Sequence, residues 1–252
     1  MPVVASDLVA FLSANMPVAD SGTAGGAIDL LRRPDFTQIA ADDDIEVISS
    51  SASDTQNCTI TGRNAAGSIV TETKTLTGTS AAIFATLGVI NRVLIVDLAS
   101  TAVGTVTVRR SVAGATVRTI AAGERGFKAI FQQLASDPSV QKDYYSKIFV
   151  KNTNGTLALV NALVTQSSDP SGFVTHLLAA SKDDTATATN RITAPAAADT
   201  QDPDTFDDTD KSVPGADLGA GVAVGVWLRY RLPAGTAAQR STYTLGVSGQ
   251  SA

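Results

Sequence analysis

Chemistry in this sequence would have to start from very few side chains. His176 is the single histidine and Cys58 the single cysteine among 252 residues. A nucleophilic triad would need His176 as its base, yet no Gly-x-Ser-x-Gly turn presents a serine, and Cys58 falls inside a predicted strand. There Cys58 reads as a small buried hydrophobe and His176 as a strand residue at a surface or interface. A lone cysteine also excludes an internal disulfide and a Cys-based zinc or iron–sulfur site. Two acids brought together by the fold could in principle hydrolyse a glycoside, but nothing in the spacing singles out a pair.

The densest cluster of hard oxygen ligands is Asp202, Asp204, Asp207, Asp208 and Asp210. Counted from Asp202 or Asp204, the run lacks the glycine at the sixth position and the bidentate glutamate at the twelfth that an EF-hand calcium loop requires, so it reads as a solvated acidic loop. Asp42-Asp43-Asp44 reads as a turn that discourages edge pairing. The glycines from Gly22 to Gly26 lack a following Gly-Lys-Ser/Thr, and Gly219 and Gly221 precede a strand rather than a helix, so neither group is a phosphate cradle. Arg32-Arg33, Arg109-Arg110 and Arg229/Arg231 stand without interleaved aromatics and suit interface salt bridges better than nucleic acid. No catalytic residue, metal or cofactor is expected.

Composition narrows the class. Hydrophobic residues make up 44% of the chain but aromatics only 5%, so the cores are small and rich in alanine and valine. A net charge of −5 opposes direct binding to nucleic acid, which draws its affinity from clustered Lys and Arg. The start has no basic segment leading into an apolar one, and no stretch suggests a membrane span; folding in a reducing cytoplasm is expected.

The elements that must position any site read as β throughout. Residues 1–40 mix small and polar residues with a glycine-rich run and are expected to form an extended N-terminal arm, ordered against a neighbour. Within it Leu8 to Leu12 is ambiguous between a helical turn and a strand. From Ile45, short β-branched runs alternate with turn residues. Asn57 to Arg63 and Ser68 to Leu76 flank Asn64-Ala65-Ala66-Gly67 as a hairpin near a sheet edge, and further strands read at Arg92 to Leu98, Thr105 to Arg110 and Ala115 to Ile120. Phe127, Ile130, Phe131 and Leu134 recur at helical spacing, a pattern that a loop with buried side chains would also produce. Asn154-Gly155 predicts a second hairpin, between Tyr144 to Asn152 and Thr156 to Thr165. Strands follow at Phe173 to Ala179, Val222 to Arg231 and Thr242 to Val247, the middle one alternating strictly. The fold class is therefore all-β: two antiparallel, jelly-roll-like β-sandwich domains, at 41–136 and 137–252, after the arm, with a long acidic loop at 182–216.

Two segments carry a resemblance. The run from Thr61 to Thr73 with Leu76-Thr77-Gly78-Thr79, and the run from Lys147 to Leu159, resemble accessory structural proteins of tailed bacteriophages, as does the arm around Ser13-Ala14-Asn15-Met16-Pro17. The resemblance implies a non-enzymatic virion component, assembled in the bacterial cytoplasm, whose leading role is a capsid decoration or cement protein. Its implied partners are the major capsid protein, copies of itself and other head or tail proteins, with no membrane and no direct nucleic acid. A neck, tail or baseplate protein needs nearly the same features, and a carbohydrate- or receptor-binding module using Trp227, Tyr230 and Tyr243 is the alternative from another class. Exposure and composition point to Met16, Pro17, Ile28, Leu30, Arg32, Arg33 and Phe36, with Phe206, Asp207 and Asp208 in the loop, as the contact residues.

Overall fold

The computed structural model describes residues 2–201, 204–239 and 242–251. Among these the chain is all-β, built of 18 strands with two short 3-10 turns and no α-helix. In chain order the strands are β1 (Leu8–Asn15), β2 (Ala24–Asp29), β3 (Arg32–Arg33), β4 (Ile45–Ser49), β5 (Asn57–Asn64) and β6 (Ile69–Thr75). There follow β7 (Ala82–Ile83), β8 (Ile90–Leu98), β9 (Val106–Arg110), β10 (Thr116–Ile120), β11 (Gly126–Lys128) and β12 (Lys142–Asn152). The last are β13 (Leu159–Ser168), β14 (Val174–Lys182), β15 (Thr187–Ala188), β16 (Lys211–Ser212), β17 (Ala223–Leu232) and β18 (Thr244–Ser251). They form two compact units: residues 30–129 make one, and residues 1–29 with 130–252 make the other, so the first is an insertion within the chain of the second.

The inserted unit holds a four-stranded sheet, β10-β9-β4-β7, and a five-stranded sheet, β3-β11-β8-β5-β6. Both sheets fill one apolar cluster that includes Val47, Val106 and Val108 from the first and Ile60, Val96 and Phe127 from the second. Pairing is antiparallel except for the short β3–β11 contact. The expected hairpin is β5–β6, closed by Gly67 at φ +84° and by the Asn64 side chain accepting from the Ser68 N–H. Its outer arm is an edge strand whose polar face is tied to β5 by threonine hydroxyls, Thr59 to Thr73 and Thr61 to Thr71.

The other unit is built on a six-stranded sheet, β14-β17-β12-β1-β2-β15, with a three-stranded sheet, β16-β13-β18. Apolar residues on one face of β12 and β17, including Tyr144, Ile148, Val224, Val226 and Leu228, join Leu159, Ala162 and Val164 of β13 in the larger core. The strict alternation of β17 is thus real, but both of its faces are buried, and Trp227 on the opposite face is fully enclosed.

Sequence expectations are changed or resolved at four places. The N-terminal arm is replaced by β1 and β2, with β1 hydrogen-bonded between β12 and β2, and the first unit boundary falls after Asp29 rather than near residue 40. The glycine run serves packing rather than looseness: Gly25, at φ +88°, lies under Trp227, where a Cβ would come within 2.5 Å of the indole. The pattern at 127–134 is no helix: Phe127 lies on β11 in the core of the inserted unit, and Ile130, Phe131 and Leu134 lie in the loop that follows and pack on the core of the other. Asn154-Gly155 does not close a hairpin either, because β12 pairs with β1 and β17 while β13 pairs with β16 and β18. Instead Asn154 organises the crossing, its side-chain oxygen accepting from the Thr156 and Leu157 N–H groups.

Leu12 on β1 is only 1% exposed. Leu12→Ala should therefore lower stability by about 2–5 kcal/mol, read by chemical denaturation; an arm residue would shift it by no more than about 0.5 kcal/mol.

Candidate contact site

Most of the residues expected to meet partners are engaged inside the chain. Met16 is buried in the larger core, its sulfur within 3.3 Å of the Ser13 hydroxyl and 3.4 Å of that of Ser146. Pro17 packs beside Gly22, and Ile28 lies against the small cluster of Phe11, Phe149 and Ala223. Arg32 pairs with Asp97 at 2.8 Å, Arg33 lies near Asp35 and Glu124, and Phe36 packs on Phe127 with ring centroids 4.9 Å apart. Phe206 sits under the Arg229 guanidinium and edge-on to Tyr145, while Asp207 is 2.9 Å from Lys211. Only Leu30 and Asp208 are exposed.

The acidic loop is correspondingly not a free arm. Asp207 exchanges backbone hydrogen bonds with His176 of β14, and Arg229 of β17 donates to the Phe206 carbonyl at 3.0 Å. Arg191 holds Asp20 at 2.6 Å and donates to the carbonyls of Gln132 and Gln133. Asp202 and Pro203 lie outside the described residues, and among the described residues no three potential metal ligands come together. No helix among the described residues is long and apolar enough to cross a membrane. Trp227, fully buried, offers no ring for a sugar to stack on, and burial pushes the Cys58 thiol up to about 12.

The inserted unit carries the more informative arrangement, two exposed valines each held by a buried carboxylate. Strand β9 pairs with β4 so that Glu46 lies opposite Arg109 and Ile45 opposite Arg110. Beyond Arg110 the chain turns through Ser111-Val112-Ala113-Gly114, with Val112 at φ +56° and Ala113 at φ +55°. The connection is four residues long, closed by the Arg110 N–H on the Ala115 carbonyl, and its two central residues are left-handed, a conformation ordinarily taken by Asn or Gly and costly for a β-branched residue. Glu46, 3% exposed, holds it: its carboxylate accepts from Arg109 Nε at 2.6 Å, from the Ala113 N–H at 2.9 Å and from the Val112 N–H at 3.2 Å. Asp43 clamps the other flank, accepting from Arg110 Nε at 2.8 Å and from the Ser111 hydroxyl at 3.1 Å. Val112 ends up 89% exposed.

At the opposite end of β9 the device recurs. Asp54 is fully buried and accepts from the Ser49 hydroxyl at 2.5 Å, from Gln56, and from the backbone N–H groups of Val103 at 2.8 Å and Gly104 at 2.9 Å. Burial alone would raise this carboxyl, but those four donors hold it below the usual carboxylate range. Val103, whose N–H is so bound, is 61% exposed. The two valines therefore flank β9, with eight residues between them, five of them in the strand.

Sequence reasoning found the parts but not the pairing. Asp42–Asp44 reads as a turn and Arg109-Arg110 as an isolated pair, and only the β4–β9 register joins them into one clamp. The available signal was Val-Ala at a position where β-strand spacing demands a tight turn. Compared with known protein families, curated sequences and solved structures, the chain matches none.

Replacing Val112-Ala113 by Asn-Gly should raise stability by about 1 kcal/mol by relieving the left-handed strain, whereas Glu46→Ala should cost about 3 kcal/mol by leaving Arg109 and two N–H groups without their acceptor; equilibrium urea unfolding measures both. In the other unit His176 is fully enclosed beside Tyr243 and Lys211; burial first, and the Lys211 charge second, depress its pKa below 6.5. The unfolded chain then takes up a proton below about pH 6.5 that the folded chain resists, so this stability is complete above that pH and is lost as pH falls through the window beneath it. The melting temperature should drop between pH 7.5 and 5.5, and His176→Gln should flatten that part of the profile.

Proposed function

We propose that the chain is a non-enzymatic structural protein of a tailed-phage virion, a capsid decoration or cement protein that binds the assembled head. The observation that carries this reading is the pair of valines at the two ends of β9, each exposed on a turn whose backbone is held by a buried carboxylate. The left-handed strain retained at the exposed Val112 supports a surface that meets a partner. One such strained point, at Val112, and a second exposed valine whose N–H a buried carboxylate holds, at Val103, suit a protein that bridges neighbouring subunits. The resemblance of the 61–79 and 147–159 segments to phage accessory proteins supplies the class of partner: the major capsid protein, with other copies of this chain.

On this reading each unit is a two-sheet sandwich of jelly-roll type. The first 29 residues serve the scaffold rather than reaching a neighbour, and the contacts come from turns. Leu30 and Asp208, the exposed members of the set expected from sequence, remain candidate contact residues.

Quantitative mass spectrometry of purified particles tests the post directly. Hundreds of copies per particle relative to the major capsid protein are expected; about a dozen would place the chain at the neck or tail, and none would remove the virion reading. In the same particles the double variant Val103→Asp, Val112→Asp should fold but fail to incorporate, because aspartate tolerates the left-handed turn better than valine while abolishing an apolar contact. Undiminished incorporation would exclude these turns as the contact.

A further inference from the structure

Lys147 presents a fully buried amine against a carboxyl that is only partly exposed. It lies on β12 opposite Trp227 of β17, on the face turned away from the larger core, and is fully enclosed. Its stem runs over Gly225, where an added Cβ would meet the Lys147 chain at 3.4 Å, and its Nζ sits 5.1 Å from the Trp227 ring centroid and 5.2 Å from that of Phe149. Nζ is 2.5 Å from Asp184 Oδ2 and 2.7 Å from the Ala186 carbonyl oxygen. The segment bearing Asp184 is fixed on both sides: Asp183 exchanges hydrogen bonds with Ala223, its N–H donating at 2.9 Å and its carboxylate accepting at 3.0 Å, while Asp184 Oδ1 accepts from the Ala186 N–H at 3.2 Å.

A full ion pair in this position carries a large desolvation cost on both partners, and burial indeed lowers the lysine pKa despite Asp184. A carboxyl C–O bond adds about 1.2 Å, so the Asp184 carboxyl carbon lies within about 3.7 Å of the amine, near the separation from which bond formation proceeds. We propose that Lys147 and Asp184 become joined by an intramolecular amide, an isopeptide bond formed by the folded chain itself.

The step balances with no added reagent. One ammonium proton passes from Nζ to Oδ2, giving a neutral amine and a carboxylic acid beside the Trp227 and Phe149 rings. The amine lone pair then forms the Nζ–Cγ bond while the carbonyl π electrons move onto Oδ1. As they return, the Cγ–Oδ2 bond breaks with its electron pair on the hydroxyl, which takes a second proton from nitrogen and leaves as water. The third proton stays as the amide N–H and keeps the Ala186 carbonyl as its acceptor. Two buried charges are exchanged for one neutral, hydrogen-bonded group, and residues 147 and 184 become covalently tied.

Intact mass of the purified, denatured full chain decides the matter. The expected result is a mass lower than the sequence mass by one water, with or without Met1, and a branched peptide containing Lys147 and Asp184 in a proteolytic digest. Lys147→Arg and Asp184→Ala should each restore the full mass. If neither variant folds, the wild-type mass and digest still decide, and an unchanged mass, or a water loss mapped to other residues, would overturn the proposal. Neither outcome bears on the copy number in particles, so this inference stands or falls apart from the virion reading.

Discussion

The pairing of β12 with β17 is the constraint around which the larger unit is arranged. These strands run antiparallel over ten paired positions in the interior of a six-stranded sheet, and both faces of the pair are buried along most of their length. One face is covered by β13 and its neighbours, as the apolar alternation of β17 demands. The other carries Lys147, Phe149, Trp227 and Arg229, too large and too polar to be left to a second sheet of valines. The long segment between β14 and β17 closes over it, supplying Asp184, Ala186, Ala188 and Phe206 as partners. What looks in sequence like a solvated acidic loop is the polar lid of a doubly buried sheet, and its aspartates are there in part to meet cations that the sheet places beneath them.

The same logic explains the first 29 residues. Strand β1 supplies the partner that β12 needs on its free side, and β2 adds the small residues, Ala24 and Gly25, that let the Trp227 indole pack close against it. A segment poor in large side chains is not thereby an arm. Here it is poor in them because a tryptophan occupies the space.

In the inserted unit, buried carboxylates do the work that turn residues do elsewhere. Glu46 and Asp54 each gather backbone N–H groups that no strand partner reaches, and each thereby fixes a turn ending in an exposed valine. A carboxylate so placed is stable only with its donors in position, which couples the turn to the core beneath it. Turns held in this way at both ends of one strand give the unit fixed, exposed apolar points.

Local pattern alone determined the all-β class, the β5–β6 hairpin with its Asn-to-Gly turn, the β8, β9 and β10 strands and the alternation of β17, because each depends on neighbours within a few residues. It also determined that chemistry based on histidine or cysteine had little to build on. Only the tertiary structure decided that residues 8–29 are sheet rather than arm, that Asn154-Gly155 crosses between sheets, and that Phe127 and Ile130 belong to different cores. The contact site was divided in the same way: a Val-Ala turn is visible in sequence, but Glu46 lies 66 residues from Val112, and Lys147 lies 37 from Asp184. Strand register brings such pairs together, and register is set by which faces can be buried, a property of the whole sheet that no short stretch of sequence contains.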